Sequence, residues 1–134
     1  MFNFRQKTNS ITTFADLKPG DIFREPNSSA NFYYIKTCAT DAANLITGYC
    51  FYWKPDNKVL LVAGATTNIL KNDFNTTFAD IGYGETFTTD NLNFNGYYMK
   101  ICAKNISAIN LLTGRSCDFE SHQPIKTVQI FYED

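Results

Sequence analysis

Shifted by 64 positions, the chain lies on itself, and this internal repeat constrains the fold more than any other feature. Thr13-Phe14-Ala15-Asp16 meets Thr77-Phe78-Ala79-Asp80, Gly20 meets Gly84, and Phe23 meets Phe87. Tyr33-Tyr34 meets Tyr97-Tyr98, Lys36 meets Lys100, and Cys38-Ala39 meets Cys102-Ala103. A two-residue insertion in the second copy then moves the offset to 66, so that Asn44-Leu45-Ile46-Thr47-Gly48 meets Asn110-Leu111-Leu112-Thr113-Gly114. Such a repeat means one supersecondary unit built twice. In 134 residues each copy is very small, and a unit of that size has a marginal core by itself, on the order of 3–5 kcal/mol. The two copies are therefore expected to pack together, burying aromatic surface that neither could hide alone.

Each copy reads as short strands separated by turns. Lys18-Pro19-Gly20-Asp21 is a turn signal, with Pro fixing φ and Gly accepting positive φ. Strands are expected through Ile22-Phe23-Arg24, Phe32 to Ala39, Ala43-Asn44-Leu45, Phe51-Tyr52-Trp53 and Val59 to Val62, with a polar loop from Glu25 to Asn31. In the second copy, Asn95-Gly96 marks a hairpin, Tyr97 to Ala103 repeats the clearest strand, and Thr127 to Phe131 forms the last. The 12 Phe and 8 Tyr suit half-buried pleated surfaces, and no window supports a long amphipathic helix. The expected fold class is all-β: two tandem five-stranded SH3-like barrels, packed together with internal pseudo-two-fold symmetry. Closure would remove the adhesive sheet edges. The first repeat spans 12–62, a linker 63–76 packs down through Ile69, Leu70 and Phe74, and the second repeat spans 76–131.

The run Phe14-Ala15-Asp16-Leu17-Lys18-Pro19-Gly20-Asp21-Ile22-Phe23, followed by Tyr34-Ile35-Lys36 and Asn44-Leu45-Ile46-Thr47-Gly48, resembles a small β-domain that recurs in uncharacterised phage and mobile-element proteins. The second copy departs from that pattern at Gly82-Tyr83-Gly84-Glu85. The resemblance implies a β-barrel module and a phage origin, and it brings no activity and no catalytic residues with it.

Charge and cysteine usage narrow the function classes. The formal net charge is −1 with Lys and Arg dispersed along the chain, whereas phosphate-neutralising proteins concentrate basic residues. No apolar run approaches the roughly 18–20 residues of a membrane span, and Met1 to Lys7 lacks the features of a secretory signal. The expectation is a cytoplasmic protein without membrane contact. Cys38, Cys50, Cys102 and Cys117 are spaced too widely for the close pairs that zinc favours. They are expected to be reduced, metal-free and mostly buried.

Nothing in the sequence assembles a catalytic centre, and no cofactor is implied. His122 is the sole histidine; it sits in a polar turn, and the first copy has Asp56 in its place. Asp16 and Asp80 precede turns, where Asp commonly bonds its own backbone. On the clearest strand, alternation places Tyr34, Lys36 and Cys38 on one face and Ile35 on the other. Because a lysine ammonium is expensive to bury, the Tyr-Lys-Cys face is expected to point outward, with Lys36 and Lys100 pairing with Asp16 and Asp80. Asn44 and Asn110 are expected to tie down the loops before them. The candidate binding residues are Tyr34, Lys36, Trp53, Tyr98 and Lys100, with Tyr52 as a further aromatic anchor. These make a non-enzymatic binding module acting through a protein partner the leading expectation. A small-ligand or nucleic-acid binder, with bases on Tyr or Trp and Lys36 and Lys100 on phosphate, is the runner-up. A virion component ranks third and an enzyme last.

Overall fold

The computed structural model describes residues 2–3, 9–26, 32–62, 66–89, 96–103 and 106–133. Residues 27–31 of the polar loop, residues 63–65 of the expected linker and Asn95 of the hairpin turn lie outside the described residues, as do the side chains of Ile69, Leu70 and Phe74. The protein is all-β, with two 3-10 turns and no α-helix among the described residues. The strands are β1 (Phe2–Asn3), β2 (Asn9–Thr13), β3 (Ile22–Arg24), β4 (Tyr34–Lys36), β5 (Asp41–Asn44), β6 (Cys50–Tyr52) and β7 (Lys58–Val62). They continue as β8 (Thr66–Thr77), β9 (Thr86–Thr88), β10 (Tyr97–Ala103), β11 (Ile106–Asn110), β12 (Ser116–Cys117) and β13 (Pro124–Glu133). Turn η1 (Phe14–Asp16) follows β2, and η2 (Phe78–Asp80) follows β8.

The strands form two antiparallel sheets. The first has the order β2-β7-β3-β4-β5-β6, and the second β1-β8-β13-β9-β10-β11-β12. Apart from β1, the two orders run through corresponding strands of the two sequence copies. With β1 set aside, which makes the second sheet seven-stranded, each sheet has one strand more than the five expected per copy. The additional strands are β2 and β8, which begin before the expected boundaries at 12 and 76; most of the expected linker lies in β8. Strand β8 pairs with β13 from Thr66↔Glu133 to Thr77↔Pro124, with a register shift between Thr127 and Val128. A bulge of this kind interrupts strict alternation, which is why this long strand gives no clean period-two pattern.

The sheets are not closed into barrels: β2 and β6 are the two end strands of the first sheet, and no described pairing joins them. In place of a closing ladder, η1 is tied to the loop after β6. Phe14 N donates to Asn57 O at 2.8 Å and Ala15 N to Pro55 O at 3.0 Å. The second sheet repeats the arrangement, with Phe78 N donating to Gln123 O at 3.0 Å and Ala79 N to Ser121 O at 2.8 Å.

Three clusters of buried side chains follow from this layering. Ile22, Ile35, Ala43, Leu45 and Val62 of the first sheet pack against Met99, Ile101, Ile109 and Leu111 of the second. The seam between the copies is therefore aliphatic, not aromatic as expected, with Tyr33 and Tyr97 only at its margin. At about 1.5–3 kcal/mol for each large aliphatic side chain, its gross stabilisation is on the order of 10–20 kcal/mol. The two sheets thus share this aliphatic core. The aromatic residues lie on the far face of each sheet. Phe14, Phe23, Tyr34 and Trp53 cluster with Leu17, Ala42 and Val59, and Phe78, Phe87 and Tyr98 cluster with Ile81, Ala108 and Ile125, flanked by Phe119. A sheet covered on both faces has no solvent side. Strand β4 is accordingly buried at all three positions, Tyr34, Ile35 and Lys36.

Candidate functional site

The five residues expected to bind a partner fall inside the aromatic clusters. Tyr34 and Trp53 are each 8% exposed, Lys36 is 4% and Tyr98 is 2%, while Lys100 is half-buried. Tyr34, Lys36 and Trp53 come together in the first cluster: the Tyr34 and Trp53 rings are 5.1 Å apart, and Phe14 stacks on Trp53 at 5.9 Å. Tyr98 and Lys100 take the corresponding places in the second cluster, where Phe119 stands for Trp53, 5.1 Å from Tyr98. The two sets do not meet. The expectation of an outward Tyr-Lys-Cys face is corrected here: of that face only Cys38 is exposed.

Both lysines are used by the fold. Lys36 Nζ donates to Phe14 O at 2.8 Å and to Leu17 O at 2.7 Å, and lies 4.4 Å from the Phe14 ring centroid. Lys100 Nζ donates to Phe78 O at 3.0 Å and to Ile81 O at 2.9 Å, 4.6 Å from the Phe78 ring. A three-residue 3-10 turn leaves carbonyl groups without partners of its own; the long lysine stem crosses the aromatic cluster and brings donors to them. Asp16 accepts instead from the hydroxyls of Thr12 and Thr13, at 3.2 and 3.1 Å, and Asp80 from that of Thr77 at 2.9 Å. The expected Lys–Asp pairs are thus replaced by lysine–carbonyl bonds. Oxygen acceptors in pairs satisfy an ammonium without a second charge.

The turns after β5 and β11 lock the seam. Asn44 Oδ1 accepts from Ile46 N at 2.7 Å and Thr47 N at 3.1 Å. Asn110 Oδ1 likewise accepts from Leu112 N at 2.8 Å and Thr113 N at 3.3 Å. Each amide therefore ties down the loop that follows it, not the one before. These turns deliver Gly48 (φ 76°) onto the backbone of Gly84 and Lys100, and Gly114 (φ 70°) onto that of Gly20 and Lys36. A Cβ at either glycine would run into those backbone atoms, so only glycine permits the approach.

Burial acts on the phenols and thiols in and beside the clusters. Burial raises the Tyr34 phenol above its usual value, assisted by the Glu25 carboxylate, and burial followed by Cys117 raises Tyr98. The Cys50 thiol is pushed up to about 11, chiefly by burial, then by Asp41 and by Cys102 and Cys38. Such a thiol is protonated at neutral pH and a poor nucleophile. The four cysteines are free, one exposed and three half-buried, less buried than expected. Among the described residues no group of three His, Cys, Asp or Glu is placed to hold a metal ion. His122 is exposed in the loop before β13, its Nε2 3.2 Å from Glu120 Oε2.

Apolar side chains remain accessible about β6, an end strand of the first sheet, and at Tyr83 of the second copy. Ile46, Tyr49, Phe51, Tyr52 and Tyr83 are 59, 48, 50, 66 and 53% exposed. The Tyr49 and Tyr83 rings are 6.2 Å apart, bringing the copies together at this end. Phe51 follows Tyr49 on one face of β6, paired with Ala42 of the aromatic cluster, whereas Tyr52, paired with Asp41, shares the opposite face with Cys50; Ile46 O lies against Gly84, beside Tyr83. Cys102 N donates to Gly48 O at 2.9 Å, fixing the first sheet to β10 at this corner. Of these five, only Tyr52 is among the anchors expected from the sequence. The signal for the others is the disagreement between copies: where the first has Tyr49, Phe51 and Tyr52, the second has Arg115, Cys117 and Asp118, and where the second has Tyr83 the first has Pro19.

No family model matches the chain, no curated protein matches it in sequence, and no solved structure matches it in fold. Among the described residues no helix is long and apolar enough to cross a membrane.

Proposed function

We propose that the protein is a non-enzymatic binding module that acts through a protein partner, and that the partner docks on the Ile46–Tyr49–Phe51–Tyr52–Tyr83 patch. One observation carries the reading: along and beside the end strand β6, five large apolar side chains are about half or more exposed, with the Tyr49 and Tyr83 rings 6.2 Å apart. Contiguous exposed apolar surface of this kind marks interaction sites, and aromatic anchors dominate interface energetics. The nucleic-acid alternative draws on Lys36 and Lys100 for phosphate contact, and both ammonium groups are bonded to backbone carbonyls. The protein reading is therefore the one we adopt. A phage-encoded accessory role agrees with the resemblance carried by residues 14–23, 34–36 and 44–48.

We propose further that the two sheets are duplicated SH3-like units related by a pseudo-two-fold axis. Matching strand orders, the paired lysine clamps and the reciprocal Gly48–Gly84 and Gly114–Gly20 contacts support this.

Panning a random-peptide display library on the immobilised chain tests the binding reading. Enriched peptides should bind at least tenfold more weakly to a Tyr52→Asp variant with an unchanged far-UV spectrum. Failure to enrich any peptide, or equal binding by the variant, refutes it.

A further inference from the structure

We infer that Cys50 and Cys102 are a redox-sensitive thiol pair, able to close into a disulfide that staples the two copies at one corner of the seam. The inference stands apart from the docking reading, and neither depends on the other.

Position is the first argument. Cys102 N donates to Gly48 O at 2.9 Å, and Cys102 pairs in parallel with Tyr49. Cys50 is the next residue. With neighbouring strands about 4.8 Å apart and a rise of about 3.3 Å per residue, the two Cα atoms stand roughly 6 Å apart. A disulfide requires about 4.4–6.8 Å.

Direction is the second. A regular ladder would turn Cys102 to the face of Tyr49, away from Cys50. The ladder is not regular here: Lys100 pairs with Ala108 and Ala103 with Ile106, leaving Ile101 and Cys102 against Ser107 alone. A bulge of this kind re-aims side chains. Cys50 packs on the aliphatic cluster that holds Ile101 and is flanked by Ala103, the two neighbours of Cys102. In agreement with that placement, the Cys102 thiol acts electrostatically on the Cys50 thiol, and more strongly than Cys38 does.

The third argument is the contrast between the two corners. At the other end of the seam Ser116 stands where the first copy has Cys50, and Cys38 where the second has Cys102. Serine forms no disulfide, and Cys38 lies in the turn between β4 and β5, its Sγ 3.7 Å from Thr40 Oγ1. One corner alone can be bridged.

Closure removes two electrons, and a low-molecular-weight disulfide accepts them. The Cys102 thiolate attacks one sulfur of the small disulfide and releases one small thiolate. The Cys50 thiolate then attacks the Cys102 sulfur of the mixed disulfide and releases the second. The two small thiolates take up the two protons that the protein thiols lose. Cys50 is a poor nucleophile for the first encounter, so it takes the resolving role, where proximity compensates. The bridge closes a loop of roughly fifty residues and pins β6, an end strand, to the second sheet.

Treating the full chain with oxidised glutathione, alkylating it and mapping its fragments by mass tests this. The wild type should lose two alkylatable thiols and show Cys50 joined to Cys102. Its melting temperature should rise by roughly 10 °C over the dithiothreitol-reduced protein. Cys38→Ser and Cys117→Ser should form the same bridge. Cys50→Ser and Cys102→Ser, with unchanged far-UV spectra when reduced, should form none and show no rise in melting temperature. Should one of these fail to fold, the other and the wild-type map still decide. A wild type that stops at glutathione adducts, a bridge made by Cys38 or between chains, or one that survives in either variant overturns the inference.

Discussion

Replacing Lys36 with Met isolates the ammonium group, because the stem that crosses the aromatic cluster keeps its length and apolar character. The wild-type group makes two charge-assisted bonds at 2.8 and 2.7 Å, each worth about 1.5–3 kcal/mol net, and faces the Phe14 ring, which adds about 1 kcal/mol. Opposing these is the cost of desolvating an ammonium that is 4% exposed, several kcal/mol, which the variant recovers. The carbonyls then decide the balance. Phe14 O keeps a donor in Leu17 N at 3.2 Å, whereas Leu17 O loses the ammonium, and an unsatisfied buried carbonyl costs about 1–3 kcal/mol. Lys36→Met should therefore destabilise by about 2 kcal/mol, lowering the melting temperature by roughly 6–10 °C in a chain of this size. Lys100 is half-buried with longer bonds, and Lys100→Met should cost about half as much, ~1 kcal/mol. Urea titration gives both values. Far-UV dichroism follows the whole chain, and the emission of Trp53, the sole tryptophan, follows the cluster that Lys36 crosses. A second comparison separates a carbonyl clamp from a lysine–aspartate pair: Lys36→Met and Asp16→Asn should add to within about 0.5 kcal/mol. A Lys36→Met protein as stable as wild type, or strong coupling to Asp16, would refute the reasoning.

Gly48→Ala should cost more than about 3 kcal/mol, since positive φ alone costs about 1–2 kcal/mol and its Cβ would meet the backbone of Gly84 and Lys100; Gly82→Ala, with nothing within 4 Å, should stay within about 0.5 kcal/mol in the same thermal melts. Trp53→Phe, copying Phe119, removes a buried indole N–H that has no hydrogen-bond partner; the gain offsets lost ring area, so urea midpoints should differ by less than ~1 kcal/mol. At alkaline pH the raised Cys50 value matters: with about 11 in the fold against 9.0 for the free thiol, its protonated form stabilises fully below pH 9, and that contribution is lost as pH rises through 11. Because the thiol is only half-buried, the loss is discounted to about 1 kcal/mol; Tyr34 and Tyr98, also raised, act in the same direction. The stability difference between wild type and Cys50→Ala should narrow above pH 9 in urea titrations, and a constant difference would contradict the assignment.

The all-β class and the turn positions were legible because they depend on local chemistry: Pro19-Gly20, Thr47-Gly48 and Thr113-Gly114 punctuate the chain whatever packs around them. The direction of the Lys36 side chain was not legible. Alternation tells which residues share a face, but both faces of β4 are covered, and no local pattern distinguishes a sheet with one solvent face from a sheet with none. The cost of burying an ammonium was a sound argument that omitted its remedy, the two carbonyls brought by a turn 19 and 22 residues away. Strand β8 was hidden for a different reason: Thr66 to Thr77 is polar at many positions, and the bulge in its pairing with β13 breaks the period. Of the patch, Tyr52 alone was legible.

Identity between the copies and difference between them carry opposite information in this chain. Lys36 and Lys100 clamp the two 3-10 turns, Asn44 and Asn110 fold the two seam turns, and Gly48 and Gly114 allow the two backbone contacts. Every one of these identical pairs has a structural task that both halves must perform, so identity here marks what the fold demands twice. A partner that docks on one place imposes no such double demand. Tyr49, Phe51 and Tyr52 stand against Arg115, Cys117 and Asp118: the first three are exposed, Cys117 packs against the second aromatic cluster, and Ala42 and Ala108 beneath remain the same residue. Searching this chain for function by its shared residues leads into the core; the unshared exposed ones form the surface proposed for docking.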